Sequence, residues 1–163
     1  MSISSVVNHF LSKGLECSIV NCFESNAKFI GTGRGNALGV SCNAKTFVFR
    51  LKDSDILIVT REDMRISNKK FEDCFKIGPK ELSNKEVIEI TGHPVDGLSP
   101  FGLKNSLKVY IDVSLKGNIY INLCAGLKNF VVIVTPKEIV DLTCGEWVDI
   151  CKEKEYSHPL RKS

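Results

Sequence analysis

One stretch of the sequence, residues 91–105, combines residue types that could bind a polarised carbonyl oxygen or an anion. Three glycines and two prolines lie between residues 92 and 102. Proline fixes φ at roughly −65° and lacks an N–H, whereas glycine adopts the positive φ that other residues resist, so this segment should be a rigid loop. Neighbouring backbone N–H groups of such a loop can converge on one oxygen atom. The candidate donors are the N–H groups of Leu98, Ser99, Phe101 and Gly102. The same composition also fits a tight connection that only turns the chain.

Lys45 is the second candidate, because it begins a β-rich segment. Residues 46–51 and 55–60 predict a hairpin with a polar turn between its strands. Alternation along the strand places Lys45 on the same face as Phe47 and Phe49. If that face is buried, the Lys45 ammonium should be directed along the core side. The alternative is a lysine at a strand end that only extends into solvent.

Other catalytic arrangements are not recognisable in the sequence. There is no Ser/His/Asp order and no paired-carboxylate motif, and His9, His93 and His158 are scattered, so no general base can be assigned. The seven cysteines form an odd number without a C-x-x-C pair, which argues against both a disulfide framework and a zinc site. The glycine-rich segment 31–35 lacks the Gly-Lys-Ser/Thr ending of a phosphate loop. We therefore expect neither a metal nor a cofactor.

Length and composition limit the classes of protein to which this chain can belong. The chain has 163 residues, of which 43% are hydrophobic and 25% charged, and these are ordinary values for one globular domain with a sizeable core. Apolar runs such as residues 130–134 are far shorter than a membrane span, and the N-terminus lacks the basic start of a signal peptide. We therefore expect a cytoplasmic protein without membrane contact. A net charge of +3 permits nucleic-acid binding but does not require it.

Periodicity and capping residues predict a mixed α+β domain. Helices are expected over residues 4–13, from the capping box at 83–86 to Gly92, and from Thr135 to Leu142. Besides the hairpin, strands are expected over residues 17–23, 107–112, 118–123, 130–134 and 146–151. Residues 61–75 are basic and are predicted to be irregular, facing either nucleic acid or water. These elements predict a single α+β domain over residues 1–151, with a mixed, largely antiparallel central sheet flanked by helices, and a polar tail over residues 152–163.

Three motifs have the order and spacing of a known family. The first is Gly-His-Pro-Val at 92–95 followed by Gly-Leu-Ser-Pro-Phe-Gly at 97–102. The second is Ala-Lys-Thr-Phe-Val-Phe-Arg at 44–50, and the third is Lys-Val-Tyr-Ile-Asp-Val-Ser-Leu at 108–115. They resemble the signature loop, the strand with the functional lysine and the "VYxDxSL" strand of the YbaK/ProX family. This family comprises free-standing aminoacyl-tRNA deacylases related to the editing domain of bacterial prolyl-tRNA synthetases. The resemblance spans roughly residues 15–151 and implies a short helix that ends near residues 38–39.

Two positions depart from the family pattern. Asp96 replaces the first glycine of the family's Gly-x-x-x-Pro motif. After Gly126 the sequence reads Leu-Lys-Asn-Phe at 127–130, where the family usually has a small, polar stretch. A carboxylate at position 96 could pair with the α-ammonium group of an aminoacyl ester and narrow the space for its side chain. Both departures therefore bear on the choice of substrate.

The resemblance implies an enzyme that edits mischarged tRNA in trans by hydrolysing the aminoacyl ester. It further implies a substrate-assisted reaction, in which the 2′-OH of the terminal adenosine helps to orient or activate water and Lys45 helps to anchor that end of the tRNA. Such an ester is already activated, so the protein mainly has to hold the carbonyl, place a water and exclude the wrong amino acid. The expected partners are an aminoacyl-tRNA and, in addition, an aminoacyl-tRNA synthetase.

Ten residues carry this hypothesis. Catalytic roles are assigned to Lys45, Gly97, Ser99 and Pro100. Substrate contacts are assigned to His93, Asp96, Leu98, Phe101, Gly102 and Gly126. For His93 a structural role beside Pro94 fits equally well, and Phe101 could be a packing residue instead of a wall of the amino-acid pocket. Two other functions stay open: a module that binds tRNA or a synthetase without hydrolysis, and an enzyme that hydrolyses another small activated ester.

Overall fold

Helices and strands alternate along the chain in the computed structural model, which describes residues 2–22, 28–30 and 42–154, the side chains of 28–30 excepted. The helices are α1 (Ser2–Ser12), α2 (Asn68–Phe75), α3 (Asn84–Thr91) and α4 (Pro136–Thr143). The strands are β1 (Ile19–Asn21), β2 (Lys28–Ile30), β3 (Cys42–Arg50), β4 (Asp55–Arg61), β5 (Met64–Ile66), β6 (Lys108–Asp112), β7 (Ile121–Cys124), β8 (Phe130–Val134), β9 (Glu146–Val148) and β10 (Cys151–Glu153). Short 3₁₀ turns at Val95–Gly97 and Val113–Leu115 interrupt the loops.

One mixed sheet dominates the described residues. Its strand order is β2-β1-β8-β7-β3-β4-β6-β9, and β5 and β10 form a separate pair. The neighbours β7 and β3, β4 and β6, and β6 and β9 are parallel, and the other four pairs are antiparallel. Strand β8, which is apolar on both faces, lies inside the sheet between β1 and β7, as its sequence predicts. The predicted α+β class with a mixed, largely antiparallel sheet is confirmed.

Both faces of this sheet carry apolar clusters. Helices α1 and α4 and the loop after α3 pack on one face, together with Leu57 and Val59 of β4. The alternate residues Ile56 and Ile58 point to the other face, where they pack against Phe71 of α2. Because side chains alternate along a strand, β3 and β4 are covered on both sides. Arg50 also ties the β3–β4 hairpin to α3, with Nε 2.9 Å from Asp55 Oδ1 and Nη1 2.8 Å from Glu86 Oε2.

The predicted helix starts at residues 83 and 135 are confirmed. Ser83 and Glu86 form a reciprocal capping box at α3, and Thr135 and Glu138 form another at α4. In each box a hydroxyl accepts the N3 N–H and a carboxylate accepts the N-cap N–H, so two of the free amides at the helix start are satisfied. Helix α3 then ends at Gly92, whose φ of 78° starts the loop.

Residues 61–75 are regular, so the prediction of an irregular segment was wrong. They contain β5 and α2, and the Ser67 hydroxyl caps α2 by accepting the Lys70 N–H. Phe71 is fully buried and Phe75 lies one helical turn later in the same cluster. These two apolar residues at helical spacing favour a helix, although most of the residues around them in the sequence are charged.

The predicted strand over residues 146–151 is two strands that belong to different sheets. β9 pairs with β6, whereas β10 pairs with β5. Between them the Ile150 N–H donates to Oδ1 of the buried Asp112, which holds the chain where it changes sheet. Strand β10 includes Lys152 and Glu153, so the domain extends past the predicted boundary at 151.

Two further predictions lie outside the described residues: the helix that ends near residues 38–39, and the tail beyond residue 154. Among the residues that are described, no helix has the length and apolar character needed to span a membrane.

Candidate functional site

The loop after α3 is held in place by α1 and α4. The Gly102 N–H donates to His9 Nδ1 over 2.9 Å. His9 Nε2 lies 2.8 Å from the Leu142 carbonyl oxygen, so Nε2 carries the proton and donates. At the other end of the loop the Ser2 hydroxyl donates to the Gly92 carbonyl over 2.9 Å. The loop is therefore fixed by elements far from it in the sequence.

Two glycines allow this loop to pack against other backbone segments without any side chain between them. A Cβ on Gly97 would lie 2.6 Å from the Leu127 nitrogen, in the turn between β7 and β8. A Cβ on Gly102, whose φ is +63°, would lie 2.4 Å from the Ser5 carbonyl carbon. Such distances are shorter than van der Waals contact, so a larger residue would push the segments apart.

His93 makes a buried hydrogen bond within the loop. Its side chain is fully buried, and Nε2 donates to the Phe101 carbonyl oxygen over 2.7 Å. Burial lowers the pKa of His93, against the opposing effect of its bond to Phe101. Nδ1 has no hydrogen-bond partner among the described residues. The imidazole is thus a neutral brace across the loop.

Phe101 is likewise a packing residue in this arrangement. It is fully buried, and its ring meets Phe10 of α1 edge to face with 5.0 Å between centroids. Leu98, Ser99 and Pro100 are also buried. Gly126 is buried too, and its backbone, with φ +92°, abuts Ser2.

The predicted convergence of four loop amides on one oxygen was wrong. The Phe101 N–H donates to the Ser99 hydroxyl over 3.2 Å, and the Gly102 N–H is engaged by His9. The N–H of Gly97 donates to the Pro94 carbonyl. In contrast, the N–H groups of Leu98 and Ser99 have no partner within the described part of the chain. Two adjacent donors of this buried segment therefore lack a protein acceptor among the described residues.

Asp96 is exposed and lies in the 3₁₀ turn Val95–Gly97. Within the described ranges, the non-glycine residues with positive φ are Lys76, Asn129 and Cys144, so Asp96 is not among them. The aspartate therefore replaces the family glycine without the strain of a left-handed backbone. Of the predicted loop contacts, Asp96 is the one that presents a charged group at the surface.

Lys45 is exposed, and its ammonium extends over Phe47, which packs against the apolar cluster of Phe49 and Phe71. Nζ lies 5.0 Å from the centroid of the Phe47 ring. The side chain borders a cavity of about 470 Å³ whose described lining comes from β3, the β4–β5 connection, β5, the start of α2 and residues 79–81. None of the predicted loop residues lines this cavity among the described residues.

Asn43 of β3 and Asn122 and Cys124 of β7 form a polar strip. The Asn122 side-chain amide of β7 donates to the Asn43 amide oxygen of β3 over 3.0 Å. Cys124, two residues further on the same face, has a pKa raised first by burial and then by the charges of Glu62 and Asp96. Glu62 also lines the cavity beside Lys45, whereas Asp96 belongs to the loop. Both carboxylates are therefore near enough to Cys124 for their charges to act on its thiol.

The residues of this strip were not predicted from the sequence. A signal was present, because Asn122 and Cys124 alternate with Ile121 and Leu123, which face the main core. A polar face on an interior strand is unusual enough to indicate either a buried hydrogen-bond network or a site.

Comparisons with known proteins place these features in context. A family model described as "Aminoacyl-tRNA editing domain" matches residues 36–142. The chain is 36% identical over 157 residues to YwhH of Bacillus subtilis (strain 168), a protein without an assigned function, and the match covers 95% of this chain and 100% of YwhH. It is also 34% identical over 89 residues to the proline–tRNA ligase of Caldicellulosiruptor saccharolyticus, which is 54% of this chain and 14% of the ligase.

A solved structure described as a candidate trans-editing enzyme for prolyl tRNA synthetase superposes with a TM-score of 0.78. The sequence identity is 22%, and the match covers 94% of this chain and 98% of that one. At this level of identity the similarity establishes a shared fold.

Proposed function

The chain belongs to the aminoacyl-tRNA editing domain family, and on this basis we propose that it hydrolyses the ester of mischarged aminoacyl-tRNA in trans. The observation that carries the proposal is the family match over residues 36–142, a range that contains both Lys45 and the loop. Action in trans is supported by YwhH, whose whole length is covered by the match. It is also supported by the shared fold with a candidate trans-editing enzyme.

The two unpartnered loop amides suit the carbonyl of the ester. Negative charge develops on that oxygen as water attacks, and donors aimed at it lower the barrier. Removing one such donor from an enzyme costs about 3–4 kcal/mol of transition-state stabilisation. The N–H groups of Leu98 and Ser99 are the candidate donors, and the Ser99 hydroxyl holds the loop by accepting from Phe101.

Cys124 is disfavoured as a nucleophile because its thiol stays protonated. Burial and the nearby carboxylates of Glu62 and Asp96 raise the pKa of Cys124 above its ordinary value, so the reactive thiolate is scarce near neutral pH. This agrees with water as the attacking group. The 2′-OH of the terminal adenosine would help to orient that water, while the Lys45 ammonium anchors the same end of the tRNA.

The test is to incubate the purified protein with a panel of correctly and incorrectly charged tRNAs and to follow loss of the ester. Faster hydrolysis of at least one mischarged species than of its correctly charged counterpart is expected. Equal, background rates for every species would contradict the proposal.

A non-catalytic module that binds tRNA or a synthetase is the second candidate function. Asp96 favours it, because this carboxylate stands at a glycine position of the family's signature loop. Retention of charged tRNA on the protein without loss of the ester would select this candidate.

A further inference from the structure

The two-stranded ribbon of β5 and β10 places two cations directly opposite each other. Arg65 of β5 is the register partner of Lys152 of β10. Side chains in such opposite positions lie about 5 Å apart at Cβ, and like charges there are destabilising. Both side chains are exposed, and neither forms an ion pair among the described residues. The ribbon therefore carries a charge repulsion that the described part of the protein does not offset.

The two cations share the outer face of the ribbon. Three residues of these strands pack on the inner face, in the apolar cluster that contains Phe71 of α2: Met64, Ile66 and Cys151. Since side chains alternate along a strand, Arg65 and Lys152 point away from this cluster. Glu153, the next residue of β10, is opposite Met64 and so belongs to the inner face. The outer face of the two strands thus presents two cations and no carboxylate.

Helix α2 fixes the backbone beneath these cations. The Ser67 N–H at its N-cap donates to the Ile150 carbonyl oxygen over 2.8 Å. Lys70 Nζ donates to the Cys151 carbonyl oxygen over 2.9 Å and pairs with Asp149 Oδ1 over 3.1 Å. A partner therefore meets Arg65 and Lys152 on a preformed backbone, which lowers the cost of ordering this surface on binding.

The chemistry of the outer face favours the backbone of a nucleic-acid duplex. Two neighbouring cations without an acidic partner suit phosphate groups. Single strands are usually held by aromatic side chains on which bases stack, and neither β5 nor β10 contains an aromatic residue. In a duplex the bases are stacked inside, so its phosphates fit a cationic face that lacks aromatic residues. The ribbon also adjoins the cavity beside Lys45, which Arg65 and Lys154 help to line.

We infer that the outer face of the β5–β10 ribbon binds the phosphate backbone of the double-stranded stem from which the 3′ end of the tRNA extends. This inference rests on the proposed function, because it requires that the substrate is a charged tRNA. The contact is independent of base sequence, since it involves phosphates alone. It adds a second surface to substrate binding, on elements that include neither the loop nor β3.

The test measures binding of labelled RNA by fluorescence anisotropy at several salt concentrations, without chemistry. The probes are an RNA hairpin whose stem ends in single-stranded CCA, a single-stranded RNA of the same length, and polyglutamate. In Arg65→Gln/Lys152→Gln the hairpin should bind about tenfold more weakly than to the parent. The slope of log K against log salt concentration should become less steep by about 2, because two phosphate contacts are lost. Binding of the single strand should change by less than half of this amount.

The matched control is Lys13→Gln/Lys85→Gln. It removes the same charge from two exposed lysines on other elements, neither of which forms an ion pair among the described residues. The control should keep the salt slope of the parent. Urea unfolding supplies a second measurement: the ribbon variant should be as stable as the parent or more stable, since a repulsion between like charges is removed. A lower urea midpoint would contradict this reasoning.

An unchanged salt slope in the ribbon variant would overturn the inference, as would the absence of measurable hairpin binding to the parent. Equal losses for the hairpin and the single strand would also overturn it, because the face would then bind any RNA strand. Polyglutamate that binds as tightly as the hairpin, and weakens equally in the variant, would assign the face to an acidic protein and overturn it too.

Ester hydrolysis of charged tRNA by the parent is measured in parallel. Hydrolysis combined with an unchanged salt slope in the ribbon variant would refute the inference alone. A slope reduced by about 2 without hydrolysis by the parent would refute the proposed enzymatic function alone.

Discussion

Lys45 is expected to contribute to deacylation while adding little to the stability of the fold. Its side chain is exposed, and the recorded contact is a cation–π interaction with Phe47. At exposed sites such a contact contributes about 0.5–1 kcal/mol. Removal of the ammonium should therefore leave the fold nearly unchanged.

We predict that Lys45→Ala lowers kcat/KM for deacylation about 10²-fold or more, because an anchor that positions the reacting end is lost. The melting temperature should change by only a few degrees. Lys116→Ala is the matched control, since Nζ of Lys116 lies 4.9 Å from the Trp147 ring in a similar contact. A folded Lys45→Ala protein that hydrolyses charged tRNA as fast as the parent would show that the assigned role is wrong.

Asp96 is the other exposed charge of the predicted site. The Coulomb attraction between an aspartate and an α-ammonium at 4 Å is about 4 kcal/mol at an effective dielectric of 20, before desolvation. Because Asp96 is exposed, solvent screening reduces this to about 1 kcal/mol or less.

We predict that Asp96→Asn raises KM severalfold and that Asp96→Gly does the same while also relaxing selectivity for small amino acids. The glycine variant removes both the charge and the side-chain volume, whereas the asparagine variant removes the charge alone. The measurement compares kcat and KM on tRNAs that carry small and large amino acids. Unchanged kinetics in both variants would place Asp96 outside the amino-acid pocket.

At the scale of elements, the contact between α1 and the loop holds the site together. Gly102 lies against the backbone of Ser5 and Val6, and its N–H is bonded to His9 of the same helix. His9 in turn donates to Leu142 in α4. Helix α1 thus links the loop to α4, and the position of the loop depends on this helix.

Gly102→Ala and Gly117→Ala make a matched pair that tests this contact. Both glycines have positive φ, +63° and +83°. A Cβ at 102 meets the Ser5 backbone at 2.4 Å, whereas a Cβ at 117 has open space around it. The left-handed conformation should cost each variant about 1–2 kcal/mol. Overpacking should cost Gly102→Ala about 1–3 kcal/mol more.

Urea unfolding of the two variants and the parent measures these differences. The Gly102→Ala protein should also lose deacylation activity if the loop shifts away from α1. Equal losses of stability in both variants would mean that the contact between α1 and the loop accommodates the added methyl group without further loss of stability.

At the scale of the whole molecule, the stability of the domain should depend on the protonation of one buried group. Burial lowers the pKa of His93 below its ordinary value of 6.5, so the unfolded chain takes up the proton at a higher pH than the folded protein does. The stability due to neutral His93 is therefore complete above about pH 6.5 and is lost as the pH falls toward the folded pKa.

We predict that the parent is less stable at about pH 5.5 than at about pH 7.5, and that His93→Gln shows a smaller difference. Glutamine keeps an N–H donor for the Phe101 carbonyl but does not titrate. Urea midpoints at the two pH values provide the measurement. An unchanged difference in the variant would assign the pH dependence to other groups.

Much of the architecture follows from local chemistry. The capping boxes at Ser83 and Thr135, the glycine at 92 and the apolar run of β8 predicted their elements because each pattern acts within a few residues. Residues 61–75 and 146–151 were predicted wrongly because no such local pattern determines their structure. Their structure depends on distant partners, Phe49 for α2 and Asp112 for the change of sheet after β9.

For the candidate site, the sequence by itself determined which motifs are present and the family they indicate. Only the tertiary structure decided how those residues are used. His93, Ser99 and Phe101 became buried braces, because α1 and α4 close over the loop and exclude solvent from it. Asn122 lies against Asn43 because β7 pairs with β3, which is 79 residues away in the chain. Burial and long-range pairing depend on the packing of the whole chain, so no local pattern could have shown them.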